Sequence, residues 1–543
     1  MVFARRSTTL LAAIIASCAM VLSLTACTSD NKTVVDGQTT VTSNSAGGVA
    51  VFTPSDGITL NQQVPLNKWA KLVPDLAKAL ADAGFKKGDI NHTTSDSLAK
   101  QSRAIQDFVV DHLSNNTTDD SGIAIAPDNM TLLVAPVVEA DASTRQYGDY
   151  VSQNLSTNDV TDEGATSDGE SSEDDSSKDD SSNTESDSTA SDEQAQAVDR
   201  LVSSLKLAKE SGMHVVLLGN SIEGYKPDAF VKFSDAQTIG KLQAEKMVSK
   251  LKLDKASKDN PKYIEVLLPY TAVDEKGNAN DSTFAQEAFR GIWQVLGSYY
   301  QKGVVESPSG TLDGKSTEND WQAVAYDAAK EGSTAKVLDK RLAKTDGQST
   351  LTRIDGIITM NDYIASEVVK ELDDLGYTGS AADINPQITI SGIVGNITGK
   401  KDLSRDAVPD PIKSPENDNA NDSSSSDDDA DEDTSASDKD RDSQWPLVTG
   451  YGAYVSNIPS IVNGKQWMTG MEDRQTIATD IAQACAKLNK DEALNSMPSI
   501  RNSEVGGVKK IPTISEPLLA VSASNLKSAL IDPGYISLAD AGL

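Results

Sequence analysis

The sequence predicts an α/β protein built on two mainly parallel sheets, each covered by helices. Three observations carry this. Unbroken apolar runs of strand length recur along the chain, helical patterns lie between them, and 543 residues with 38 % hydrophobic content leave room for two such units. In order, the patterns give a strand at 48–53, helices at 67–83 and 98–113, strands at 122–126 and 132–138, and a helix at 194–210. A strand at 214–218 follows. Later strands fall at 263–268, 303–306, 356–359, 387–393 and 447–449, with helices at 283–300, 320–342, 363–375 and 475–488. The two sheets divide near residue 233.

Charge and cysteine usage exclude several classes of function. With 81 acids against 49 bases and a formal charge of −32, the chain repels a phosphate backbone, so it is not expected to bind nucleic acid. Three cysteines and three scattered histidines make neither a multi-cysteine metal site nor a disulfide framework; no metal and no cofactor are expected. Two tracts stand outside the fold pattern. Residues 159–193 hold 14 acids and one lysine, and residues 416–442 hold 12 acids, Lys439 and Arg441. Such segments bury too little apolar surface to offset chain entropy and are expected to be disordered.

The N-terminus carries Arg5 and Arg6, an apolar run at 10–24, and then Leu24-Thr25-Ala26-Cys27. This is the pattern of a secretory signal with a cysteine at the cleavage point. It resembles a bacterial lipoprotein signal, which implies that Cys27 becomes the first mature residue, carries a lipid, and anchors the exported chain to the outer face of the cytoplasmic membrane. Cys485 lies on a helical pattern among alanines and reads as a small core residue rather than a nucleophile.

A longer resemblance runs along the body. Its pieces are Leu66-Asn67-Lys68-Trp69, Pro136-Val137-Val138, Gly212-Met213-His214, Phe233-Ser234-Asp235 with Gly240, Gly291-Ile292-Trp293, Asp355-Gly356-Ile357 with Asn361-Asp362, and Gly450-Tyr451-Gly452-Ala453 followed by Met468-Thr469. Their order and spacing resemble the sugar-binding proteins of ABC importers, in the ribose- and xylose-binding group. The resemblance implies two Rossmann-like lobes joined by a hinge, the type I periplasmic-binding-protein fold. It implies a signal peptide at 1–26, a tether at 27–47, and an N-terminal lobe at 48–232 carrying an insert at 156–193. A C-terminal lobe at 233–471 then carries an insert at 403–443, residues 472–505 return to the first lobe, and 506–543 pack across the hinge.

Function follows from the same resemblance. A monosaccharide offers hydroxyls that donate and accept together, so planar amides and carboxylates pair with them while aromatic rings cover its apolar face. The matching positions are Asn67, Lys68 and Trp69, then Asn220, Asn280 and Asp281, Trp321, Asn361 and Glu472. Each also has a plain structural role open to it: Asn361 as a helix cap, Trp69 and Trp321 as packing aromatics, and Asn220, Asn280 and Asp281 as turn residues. The chain departs from the family where a sugar-binding aspartate gives way to Gly452 and where a lysine gives way to Glu472. An Asp-Arg pair is also replaced by Gly219-Asn220.

Two motifs fall short of their types. Residues 310–317 are one residue too short for a phosphate loop, and the segment around Ser221 lacks the second glycine of a nucleophile elbow. The expectation is a binding protein without catalytic residues, delivering its ligand to a membrane permease; the alternative is a lipoprotein that reports the ligand to a membrane sensor.

Overall fold

A computed structural model describes residues 46–55, 65–115, 125–138, 144, 146–150, 153–156, 185–273, 280–343, 351–381 and 445–543, together with two short strands near the N-terminus. The chain separates into two units, 1–44 and 45–543. In the first, Val34–Val35 pairs antiparallel with Gln38–Thr39. Cys27, the signal segment, the second acidic tract and the strand expected at 387–393 lie outside the described residues.

The larger unit holds two main sheets. The first has seven strands in the spatial order Ile500–Val505, Val508–Ser515, Ala229–Lys232, His214–Leu218, Met130–Val134, Gly48–Pro54 and Ile90–Ser95. All neighbours are parallel except the first pair. The central strands are buried along their length, as a sheet covered on both faces requires. Helices Trp69–Asp82 and Arg474–Leu488 cover one face, contributing Leu72, Leu76, Ile477 and Ile481 to a shared core; Leu98–Asn115 and Glu185–Glu210 cover the other through Ile105, Val109, Leu201 and Leu205.

The second sheet runs Val305–Glu306, Lys262–Val266, Gly356–Ile358, Leu447–Tyr451, Met468–Met471 and Leu519–Ser522, with only the last strand antiparallel. Helices Ala236–Leu251 and Thr283–Gln301 pack on one face and Asp362–Asp374 on the other. The first two helices cross closely at Gly240 and Gly291. A Cβ at Gly240 would stand 2.2 Å from the Ala288 carbonyl oxygen, and one at Gly291 would stand 2.0 Å from that of Gln237.

The chain passes between the sheets after Lys232, after Met471 and again after Ser515. Helix Arg474–Leu488 is bonded to the first lobe at both ends. Arg474 pairs with Asp75 at 2.5 Å and donates to the Leu66 carbonyl at 3.1 Å. At the far end, Asn489 donates to the carbonyls of Ala46 and Gly48 and accepts from Thr131 Oγ1 at 2.6 Å.

Several elements differ from the sequence expectation. The helix expected at 320–342 is broken into a turn of 3-10 helix at Asp320–Ala323, a short strand at Ala325–Tyr326 and a helix at Ser333–Arg341. Gly332, in a left-handed conformation at φ 69°, starts that last helix. Ile125 and Ala126, the described end of the strand expected at 122–126, are not in a strand. Instead Ile90–Ser95 forms the edge strand; four of its six side chains are exposed, so it lacks the apolar signature. Helix Glu185–Glu210 starts inside the first acidic tract, nine residues before the expected position.

Candidate ligand site between the lobes

Loops leaving the carboxyl ends of parallel strands carry most of the predicted site residues, which is where open α/β sheets place ligands. Asn67, Lys68 and Trp69 follow Gly48–Pro54, Asn220 follows His214–Leu218, Asn361 follows Gly356–Ile358, and Glu472 follows Met468–Met471. Five of these, Asn67, Lys68, Trp69, Asn361 and Glu472, gather at the junction of the lobes around the segment 146–150.

Asn67 and Glu472 meet directly. Both are buried, and the Glu472 amide donates to Asn67 Oδ1 at 3.5 Å. Asn67 Nδ2 is buried and has no hydrogen-bond partner among the described residues. Glu472 Oε1 accepts from the Ser234 amide at 2.6 Å and from Tyr451 Oη at 3.4 Å, while Ser234 and Tyr451 bond to each other through their hydroxyls. This polar knot ties two interlobe crossings together. Burial pushes the Glu472 carboxyl up to about 7, against the opposing pull of its donors.

Asn361 acts as a helix cap and does more. Its Oδ1 accepts from the Ile364 amide at 2.9 Å, while Nδ2 reaches across to Gln146 Oε1 at 3.1 Å. The neighbouring Asp362 is fully enclosed, accepting from Gln466, Thr469 Oγ1 and the Tyr454 amide at 2.7 to 2.9 Å; burial raises its pKa to about 6. Tyr454 Oη donates to the Gln146 carbonyl at 2.6 Å.

Lys68 and Trp69 are held from the same segment. Asp149 accepts from Lys68 Nζ at 2.8 Å and from the Trp69 amide at 3.1 Å, so it caps helix Trp69–Asp82, whose own N-cap side chain makes no capping bond. The Trp69 ring stands edge-on to Tyr150 and Phe233, at centroid distances of 5.1 and 5.8 Å, and Tyr150 stacks on Phe233 at 4.8 Å.

The other candidates are placed elsewhere. Asn220 donates from Nδ2 to the Pro136 carbonyl at 2.9 Å and accepts at Oδ1 from the Gln153 amide at 3.0 Å. It clasps the chain on either side of residues 137–152. Asn280, Asp281 and Trp321 sit on the second lobe. Asn280 Nδ2 donates to the Thr271 carbonyl, Asp281 Oδ1 accepts from the Thr283 amide and hydroxyl, and the Trp321 ring meets Tyr270 edge-on at 5.1 Å. The sequence reading missed Gln146, Tyr147, Asp149, Tyr150 and Tyr454. One signal was present: Tyr147 and Tyr150 are the only Phe, Tyr or Trp between Phe108 and Tyr225.

Cys485 is buried and its thiol is pushed up by burial, which suits packing rather than attack. Residues 313–316 form a turn held by Asp313, which accepts from the Lys315 amide at 2.8 Å. Among the described residues no cluster of three or more His, Cys, Asp or Glu is placed to hold a metal, and no helix is long and apolar enough to cross a membrane.

No family model and no curated protein matches the chain. Solved structures do. A solute-binding protein of an ABC transporter from Clostridium phytofermentans with bound β-D-glucose shares 17 % identity over 91 % of this chain and 99 % of its own, with a TM-score of 0.44. A carbohydrate-transporter solute-binding protein from Chloroflexus aurantiacus, in complex with D-glucose, shares 18 % identity over 92 % and 98 %, with a TM-score of 0.42. The arabinose-binding component of an ABC transporter from Shewanella, bound to L-arabinofuranose, shares 10 % identity over 91 % and 97 %, with a TM-score of 0.40. The chain is thus similar to solute-binding proteins of ABC transporters.

Proposed function

We propose that this chain is a lipid-anchored solute-binding protein that takes a small polar ligand, a monosaccharide, between its two lobes and presents it to an ABC permease without chemically altering it. One observation carries the reading: groups following the carboxyl ends of strands in both parallel sheets converge on one junction. Asn67, Lys68 and Trp69 come from one sheet, Asn361 and Glu472 from the other. They supply hydrogen-bond donors and acceptors, the groups that a sugar's hydroxyls pair with. Asn220 belongs to the clasp on the first lobe, while Asn280, Asp281 and Trp321 bond and pack within the second lobe, away from that junction. The lipid on Cys27 would hold the molecule at the membrane where a permease works.

Selectivity in such a site comes from burial, because a hydroxyl left without a partner costs about 1 to 3 kcal/mol. The test is a thermal-shift screen of the full-length chain against D-glucose, D-xylose, L-arabinose, D-ribose and myo-inositol, repeated with Asn361→Asp. The substitution retains a capping oxygen and removes the Nδ2 donor. Stabilisation by one sugar that shrinks in the variant supports the reading, since a native-state ligand at a hundredfold excess over its Kd adds about 2.7 kcal/mol. No shift with any sugar, in the wild type and in the cleft variants described next, would refute it.

A further inference from the structure

Gln146, Asp149 and Tyr150 of the segment 146–150 each hold a polar group of one lobe or the other. Gln146 is gripped by the second lobe at both its amide, by Asn361, and its carbonyl, by Tyr454. Tyr147 is buried in the core of that same lobe, its ring 4.7 Å from Phe284 and 6.3 Å from Tyr451. Gly148 presses on the first lobe: at φ 98°, it brings the backbone so close to Asn67 that a Cβ would stand 2.6 Å from the Asn67 carbonyl oxygen. The Asp149 amide donates to that carbonyl at 2.8 Å while its carboxylate takes Lys68 and the start of helix Trp69–Asp82. Tyr150 is buried in the first lobe's core and donates from Oη to the Lys68 carbonyl.

Asn361, Lys68 and Trp69 are ligand contacts that the family resemblance implies, and each has its partner in this segment. The segment leaves the carboxyl end of Met130–Val134 and is clasped at its base by Asn220, so it is delivered to the junction from within the first lobe. It supplies acceptor oxygens to Asn361, to Lys68 and to the Trp69 amide, the same donors that a bound solute would have to satisfy.

We propose that residues 146–150 are a built-in occupant of the cleft, an intramolecular plug that ties the lobes together and competes with solute for Asn361, Lys68 and Trp69. The competition with solute rests on the ligand cleft proposed above; the tying of the lobes does not. A solute binds only the fraction of molecules in which the plug has withdrawn, so its apparent affinity is lowered by that fraction. Binding is then coupled to displacement of this segment, which precedes the first acidic tract in the sequence.

The test uses the full-length chain in three forms: wild type, Gly148→Ala, which drives the plug off Asn67, and Gln146→Ala, which removes only the grip of Asn361. Far-UV circular dichroism and thermal melts establish that each variant is folded. Amide hydrogen exchange is followed at Trp69, whose N–H is held by Asp149, and at Ser234, whose N–H is held by Glu472 at the crossing. Calorimetric titration with the five sugars named above is run on the same samples. The plug predicts exchange at both amides at least about tenfold faster in Gly148→Ala and tighter binding of any sugar that binds, by about tenfold, with a smaller change in Gln146→Ala. Unchanged exchange together with unchanged affinity in folded variants overturns the plug and leaves the sugar reading standing. Faster exchange with no sugar bound by any form supports the plug as a lobe tie and removes the monosaccharide.

Discussion

Glu472 and Asp362 are carboxyls enclosed beyond the carboxyl ends of two strands that flank Leu447–Tyr451 in the second sheet, and each retains its proton to higher pH in the folded protein than in the unfolded chain. For Glu472 the folded value is about 7 against an ordinary 4.5, and for Asp362 about 6 against 3.8. Between those limits the native state binds more protons than the unfolded state, so the contribution of each group to stability is fully present below its unfolded pKa and is lost as the pH rises through its folded one. Stability should therefore fall between about pH 4.5 and 7 by an amount on the order of 2 kcal/mol through Glu472. Denaturant melts of Glu472→Gln across that range should show a flatter profile than the wild type; parallel profiles would mean the carboxyl is charged in the fold. Asn361 divides its two atoms between a cap and the plug. Asn361→Ala should lose about 1 kcal/mol, the usual effect of removing a cap, whereas Asn361→Asp should lose less; equal losses in melts would show that the cap bond contributes nothing.

At the level of elements, the interleaving of the two lobes depends on where helix Arg474–Leu488 is fastened. The side chain of Asn489 bonds two carbonyls beside Gly48–Pro54 and the hydroxyl of Thr131. Asn489→Leu strands all three in a buried site and should destabilise by about 2 to 4 kcal/mol, read as a lower denaturant midpoint with an unchanged slope. A loss below about 0.5 kcal/mol would show that water reaches those groups. Elements with a strong burial signature were legible in the sequence: His214–Leu218 has the expected bounds, and Thr283–Gln301 and Asp362–Asp374 are displaced by a single residue at one or both ends. Elements whose position depends on partners far along the chain were not. Ile90–Ser95 is polar because it is an edge, and the helix pattern at 320–342 runs across Ala325–Tyr326, which pairs instead with Leu268–Pro269 as a short strand. The site shows the same division. Asn361 falls at the end of a strand the pattern predicts, and Glu472 follows a strand, Met468–Met471, that the pattern does not predict, while the segment that meets Asn361 lies in a polar stretch whose tertiary destination leaves only two tyrosines as a trace.

For the whole molecule, two parallel sheets threaded by three crossings make a device whose lobes can separate only about the crossings. The Glu472, Ser234 and Tyr451 knot lies on two of them, and the plug spans the junction between the lobes. The proposed function makes this junction a monosaccharide site. The most direct measurement is calorimetric titration of D-glucose, D-xylose, L-arabinose, D-ribose and myo-inositol into the full-length wild type and Gly148→Ala. One-to-one heat with at least one sugar, stronger in Gly148→Ala and weakened in the double variant Gly148→Ala/Asn361→Asp, is the predicted result. Flat titrations with all five in both forms, while Gly148→Ala remains folded, would contradict it.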